Sequence, residues 1–375
     1  MNRLTCAVVL LCATVAPNAY SQWTIQDAHT TADLRGIHAI GNGVAWATGT
    51  EGTVLRTTND GKDWQRCTTP PDAGHLDFRG IQAFDASTAI VMSIGKGPLS
   101  RLYKTTDACR TWKLLFTNPD PDGFWDAMQF VDGQIGYLLG DVVVLGKSEQ
   151  RNFALFRSAD NGQTWNRADE AHSFTPYNSD EAIFAASNSS MLIRTSPIFV
   201  TGGSRINLYN GIVTSNYSLV GPNLGTFTRP CTVIRLPMTQ GATAGGFSLA
   251  STKAGVAVVV GGDYSRPNEA SYTAVYSTDG RLLQWNKAET FPHGFRSAVA
   301  YDSTTKTWIT VGPNGTDIST DDGRNWHPLG PGTAPDGKPD PPDADQHWNA
   351  LSLPFVVGPH GRIGKLNPQA LSAKQ

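Results

Sequence analysis

Ser158-Ala159-Asp160-Asn161-Gly162-Gln163-Thr164-Trp165 is the stretch on which the reading of the fold turns. An Asp in a turn accepts hydrogen bonds from backbone N–H groups a few residues on. The Gly behind it supplies the positive φ that closes the turn. The Trp then folds back and buries a large apolar area beside the hairpin. The octet is therefore a self-satisfied β-turn with its own small core, and it recurs. Ser319 to Trp326 repeats it with Asp321 and Gly323. Thr57 to Trp64 places Asn59 in the Asp slot, and Thr105 to Trp112 keeps Asp107 but sets Cys109 in the Gly slot. Ser277 to Trp285, with Asp279, is one residue longer. Asn59, Asp107, Asp160, Asp279 and Asp321 are thus turn residues, each followed by its Trp (Trp64, Trp112, Trp165, Trp285, Trp326). The spacing accounts for these carboxylates without any catalytic role.

The intervals between copies set the architecture. Trp64 to Trp112 is 48 residues, Trp112 to Trp165 is 53 and Trp285 to Trp326 is 41. One four-stranded propeller blade takes about 40–45 residues. Trp165 to Trp285 spans 120 residues, room for two blades of which one has lost its turn. A second repeat, Gly-x-x-Gly between apolar runs, occurs at Gly49–Gly52, Gly312–Gly315 and Gly358–Gly361 and reads as a hairpin. A third repeat opens each unit: Leu34-Arg35-Gly36-Ile37, Phe78-Arg79-Gly80-Ile81, Phe124-Trp125-Asp126-Ala127, Glu181-Ala182-Ile183-Phe184, Phe247-Ser248-Leu249, Phe295-Arg296-Ser297-Ala298 and His347-Trp348-Asn349-Ala350. Seven starts predict an all-β, seven-bladed β-propeller, with these segments as innermost strands. Six blades is the alternative, because the unit from about Asp180 to Pro237 is degenerate. The last unit lacks an outer strand, which Trp23-Thr24-Ile25 can supply, closing the ring and covering a sheet edge. Asn207 to Thr228 and Gly330 to Gln346 read as long surface loops.

Composition agrees. The 375 residues include 38 Gly, 23 Pro and 10 Trp, and only 17% are charged. Such chains favour sandwiches, barrels or propellers. Lys+Arg 30 against Asp+Glu 32 leaves a net charge of −2, so no global field draws the protein to nucleic acid or anionic membrane. Arg3, the apolar run Cys6 to Val15 and Ala19-Tyr20-Ser21 read as a cleavable export signal over residues 1–21. Residues 22–375 then form one domain, expected as a monomer in the periplasm or outside the cell, with no membrane-spanning segment. Leu11 before Cys12 argues against lipidation. Of the cysteines that remain, Cys67 and Cys109 lie in adjacent blades and are the candidate disulfide, leaving Cys231 over.

These turns resemble the Asp-box, or bacterial neuraminidase, repeats. Gly-x-x-Gly-Thr followed by Arg56-Thr57-Thr58-Asn59-Asp60-Gly61 resembles the photosystem II stability/assembly factor-like propellers within the sialidase-like superfamily. The resemblance spans the whole mature chain and implies a non-enzymatic binding or assembly scaffold. The alternative it implies is a sialidase-like or other exo-glycosidase. Sialidases place Arg-Ile-Pro before the first box, an arginine triad for the substrate carboxylate and a Tyr/Glu nucleophile pair. No Arg-Ile-Pro precedes Thr57, and no Tyr/Glu pair is evident. Three strand starts carry arginine: Arg35, Arg79 and Arg296. Superposed blades set them around one channel mouth, with Asp126, Glu181 and Asn349 beside them. Such a ring suits a protein partner or anionic ligand, a glycan being the other candidate. His38, His75, His172, His293, His347 and His360 show no metal-ligand spacing. The Asp336, Asp340, Asp343, Asp345 series lacks the Gly and closing Glu of a calcium loop. No cofactor and no metal are expected, and no dinucleotide or phosphate loop occurs.

Overall fold

The computed structural model describes residues 21–145, 150–168, 174–211, 231–330, 332 and 340–372. Residues 1–20 of the expected export signal, His172, Asp336 and most of the Asn207 to Thr228 run lie outside them.

Seven antiparallel sheets are present among the described residues, and the six-blade alternative is thereby overturned. Blade 1 runs Leu34–Gly41, Val44–Gly49, Val54–Thr57 and Gln65–Arg66, inner strand first. Blade 2 runs from Asp77–Ala83 to Lys113–Thr117, and blade 3 from Trp125–Val131 to Asn166–Arg167. Blade 4 comprises Met191–Ile193, Pro197–Val200, Asn207–Asn210 and Thr232–Arg235. Blade 5 runs from Gly241–Ser251 to Asn286–Lys287, blade 6 from Ala298–Asp302 to His327–Pro328. Blade 7 has Ala350–Ser352, Phe355–Val357 and Ile363–Leu366, and its outer strand is Trp23–Gln26. Trp23 pairs with Leu366 and Gln26 with Ile363, so the first strand closes the ring onto the last blade. The two helices among the described residues, the 3-10 turn Gly97–Leu99 and the α-helix Pro368–Ser372, are far too short to cross a membrane.

Two sequence expectations fail in blade 4. Its inner strand is Met191–Ile193 rather than a strand beginning at Glu181. Asn207–Asn210 is a buried ladder strand, not the start of a surface loop. Both errors have one cause: this blade has no box and no Gly-x-x-Gly turn to mark its strands.

The core follows from alternation along each strand, which buries one set of side chains against each neighbouring blade. Seven apolar clusters result, one at each blade boundary. Trp46 and Phe78 join blades 1 and 2, and Trp348 and Ile309 join blades 6 and 7. At the outer rim Cys67 and Cys109 are bonded, with Cα atoms 5.3 Å apart, tying blade 1 to blade 2.

The turns behave as their chemistry requires. Thr164 N donates to Asp160 Oδ1 at 2.9 Å, Gly162 N donates to Ser158 Oγ at 2.9 Å, and Trp165 Nε1 donates to Gly162 O at 3.1 Å. Asn325 N donates to Asp321 Oδ1 at 2.9 Å in the same way. Asp279 accepts from Leu283 and Gln284 N–H groups at 2.9 and 2.8 Å. In blade 1 the amide Asn59 Oδ1 accepts from Asp63 N at 3.0 Å. The hydroxyls of Thr111 and Thr164, with the backbone donors, hold Asp107 and Asp160 at about 2. Each turn joins a third to a fourth strand, which puts all five on the face opposite the strand starts.

Candidate functional site

The strand-start mouth is built on β-bulges. Pairing of the first two strands skips Arg35 between Leu34 and Gly36, Arg79 between Phe78 and Gly80, Asp126 between Trp125 and Ala127, and Phe247 between Gly246 and Ser248. A bulge re-aims the side chain of its extra residue. The glycines behind the two arginines are there for space. A Cβ on Gly36 would stand 2.4 Å from Thr48 Oγ1 and 2.7 Å from Arg79 O. One on Gly80 would stand 2.6 Å from Asn188 Oδ1.

Arg296 does not join this ring, which corrects the sequence reading. Leu34, Arg296 and Trp348 N–H groups donate to Gly358, Gly261 and Gly312 carbonyls of the preceding blade at 3.1, 2.9 and 3.3 Å. Arg296 thus takes the core position of Leu34 and Trp348, and Ser297 takes that of Arg35. The Arg296 side chain is fully buried. Its Nε and Nη2 lie 2.8 and 2.6 Å from Asp317 Oδ2, and Nη1 donates to Asn314 Oδ1 at 2.6 Å and Phe295 O at 3.0 Å. Burial pushes this guanidinium's pKa down, and Asp317 pulls it back. His293 completes the knot, Nδ1 2.9 Å from Asp317 Oδ1 and Nε2 2.8 Å from Asn314 O. The hydrogen bond to Asp317 holds His293 above its ordinary value.

Arg35 and Arg79 remain at the mouth, each about a third exposed. Arg79 Nε donates to Asp77 Oδ2 at 3.0 Å, and Arg35 Nη2 lies 3.7 Å from Asp33 Oδ2. Asp126 is buried, and neither oxygen has a hydrogen-bond partner among the described residues. Burial, then the nearby Asp141, pushes its pKa well up against the pull of Arg79. Glu181 is buried in a closed network: Tyr177 N and Tyr209 Oη donate to Oε2 at 2.8 Å, and Thr201 Oγ1 and Asn207 Nδ2 donate to Oε1 at 2.6 and 2.8 Å. Asn349 Nδ2 donates to Leu34 O at 2.9 Å and so serves the blade 7 to blade 1 seam. Of the six residues expected at the mouth, two therefore face solvent with charge, Asp126, Glu181 and Arg296 are buried, and the partly exposed Asn349 is spent on the seam.

Three features escaped sequence reasoning. Glu181 and Tyr209 form a Tyr/Glu pair after all, distant in sequence and recognisable only once blade 4 is assembled. It is unlike an activated nucleophile, since burial and then Glu181 push the phenol's pKa strongly up. Second, the segment before Met191 crosses the axis. Asn188 Nδ2 donates to Ile81 O at 3.1 Å and its Oδ1 accepts from Met128 N at 3.0 Å. Ser187 Oγ accepts from Ile37 N at 3.3 Å, and Ser189 O accepts from Leu249 N at 2.7 Å. Ser187 and Asn188 hold left-handed φ of 54° and 66°, and the segment bonds blades 1, 2, 3 and 5. It forms a floor under the mouth. Third, Phe184 and Phe247 stack at 4.0 Å and 10°, with Tyr264, 49% exposed, edge-on to both at 6.1 Å.

No family model matches this chain, and no curated protein matches it in sequence. Solved structures do resemble it. YCF48 bound to D1 peptide aligns with a TM-score of 0.58 at 14% identity, over 94% of this chain and 99% of that one. YCF48 from Cyanidioschyzon merolae aligns with a TM-score of 0.57 at 15% identity, over 93% and 100%. The WD40 propeller domain of Doa1 aligns with a TM-score of 0.50 at 9% identity, over 93% and 97%. At these identities the likeness is one of fold, a β-propeller over nearly the whole chain.

Proposed function

We propose that this protein is an exported, non-enzymatic binding or assembly scaffold, of the photosystem II assembly factor-like kind its box repeats resemble. It holds an acidic segment of a protein partner at the strand-start mouth. The observation that carries the reading is the pair Arg35 and Arg79, set on equivalent bulges of adjacent blades and both open to solvent. Guanidinium groups hold carboxylates in bidentate geometry. Two of the mouth's carboxylates are withdrawn, Glu181 by its hydrogen bonds and Asp126 by burial, while Asp33 and Asp77 stay paired with the arginines and a guest carboxylate competes with them. YCF48, similar in fold, is bound to a D1 peptide, so a propeller of this shape accommodates a peptide partner. A glycosidase reading finds the Glu181 and Tyr209 pair locked in the interior.

The test is a pull-down from the exporting compartment with wild type and the double variant Arg35→Ala/Arg79→Ala, matched for folding by circular dichroism. Loss of partners in the variant is the expected result. Retention of the same partners at the same salt concentration eliminates this face as the binding surface.

A further inference from the structure

We infer that the mouth reads a second chemical feature of its guest, an aromatic or large aliphatic side chain seated on the exposed Tyr264 and the partly exposed Phe184 of blades 4 and 5, with the buried Phe247 bracing them from below. This rests on the reading of the mouth as an acidic-peptide site and specifies which acidic peptides it takes.

The cluster sits on the same face as Arg35 and Arg79 and across the axis from them. Tyr264 follows the second strand of blade 5, which ends at Asp263, and Phe247 occupies that blade's bulge. Phe247 is also edge-on to Phe295 at 4.7 Å, so the stack is braced from blade 6. Beside its stack on Phe247, Phe184 also lies close over glycine backbone: Cβ atoms on Gly202 and Gly245 would stand 2.3 and 2.8 Å from its ring. Rigid, braced rings give up little entropy when a ligand covers them, the property that makes aromatics interface anchors. Asp263, beside the rings, asks nothing polar of the guest: it is satisfied by Thr243 Oγ1 at 2.7 Å and by Arg266 Nε at 2.9 Å.

The floor formed by Ser187 and Asn188 makes the argument specific. It bonds blades 1, 2, 3 and 5 across the axis, so a guest lies over the mouth and does not thread it. A segment lying there meets arginines on one side and aromatic rings on the other. The complementary guest is an extended peptide with carboxylates toward one end and an apolar side chain toward the other.

Fluorescence anisotropy with labelled short peptides tests this. One probe carries aspartates at one end and phenylalanine at the other, and its partner probe has serine in place of the phenylalanine. Removing the buried ring should weaken binding about tenfold. Tyr264→Ser, at an exposed position that leaves the fold intact, should erase most of that difference, and Tyr264→Trp should restore it. Arg79→Ala should weaken both probes alike. Equal affinities for the two probes on wild type overturn the inference while leaving the acidic-peptide reading standing. A phenylalanine preference unchanged by Tyr264→Ser also overturns it. Failure of both probes to bind at all overturns the inference and the underlying reading together.

Discussion

Phe78-Arg79-Gly80-Ile81 in blade 2 and Phe295-Arg296-Ser297-Ala298 in blade 6 look like one motif, yet their arginines do opposite things. Arg79 sits on a bulge at the mouth, with Nε on Asp77 and its terminal nitrogens without a partner among the described residues. Arg296 sits one position earlier in the blade's frame, fully buried, with Asp317, Asn314 and Phe295 O around it. The difference lies in what stands opposite. Blade 6 supplies a buried Asp317 on its third strand, and a carboxylate there draws the guanidinium inward. Blade 2 offers Tyr103 in its third strand, and its arginine stays outside. Both starts have a buried polar tie. Blade 6 uses its own arginine, whereas blade 2 borrows Asn188 from the axial segment of blade 4.

Substituting the two arginines gives the largest contrast. Arg296→Ala leaves Asp317 buried and uncompensated and should cost about 3–5 kcal/mol. Arg79→Ala removes a partly exposed pair and should change stability by less than about 1 kcal/mol. Denaturant titration of both variants checks this, and equal losses would dissolve the distinction between them.

The tie across blades 1 and 2 is next. Cys67 and Cys109 are 42 residues apart, and opening that loop should cost about 4 kcal/mol in the chain-entropy model. A Cys67→Ser/Cys109→Ser variant should show this loss by urea unfolding under non-reducing conditions. An unchanged midpoint would mean that the apolar cluster at this boundary suffices alone.

Asn188 tests the borrowed tie. Asn188→Ala leaves Ile81 O and Met128 N without partners and places alanine at a left-handed φ of 66°. Roughly 2–5 kcal/mol should be lost. Hydrogen exchange should show the inner strands of blades 2 and 3 opening more readily than that of blade 6. Uniform loosening around the ring would show that the axial segment is no keystone.

The contrast also marks how far the sequence could be read. Box turns are local: Asp160 and Thr164 lie four residues apart and satisfy each other within the same turn. Periodic local signals of that kind make blade number legible, and the box-less fourth blade was located by the long gap it left. The mouth is non-local. Whether an arginine at a strand start turns in or out depends on a residue about twenty positions on, in the third strand of its own blade, and no spacing rule encodes that. Asn188 reaches Ile81 across 107 residues, and Glu181 meets Tyr209 across 28. The aromatic cluster draws on Phe184 and Phe247, which become neighbours only because blades 4 and 5 pack side by side.

The smallest effect is a pH dependence confined to the blade 6 knot. His293 Nε2 lies 2.8 Å from Asn314 O, and its Nδ1 lies 2.9 Å from both Asp317 Oδ1 and Arg296 Nη2, the oxygens favouring the imidazolium and the guanidinium opposing it. Asp317 raises its pKa in the folded state, while burial and Arg296 act in the other direction. An unfolded histidine titrates near ~6.5. Below that value both states are protonated and the knot contributes its full share. As pH rises through the higher folded value the native proton is lost and the contribution disappears. Stability of the wild type should therefore decline from about pH 6.5 upward relative to His293→Gln, whose side chain cannot titrate. The difference between the two unfolding midpoints across that range isolates this histidine from all other titrating groups. Arg79→Ala, which leaves the blade 6 knot intact, should retain the wild-type slope. A wild-type slope matching that of His293→Gln would show that Arg296 alone satisfies Asp317 and that the imidazole is a bystander.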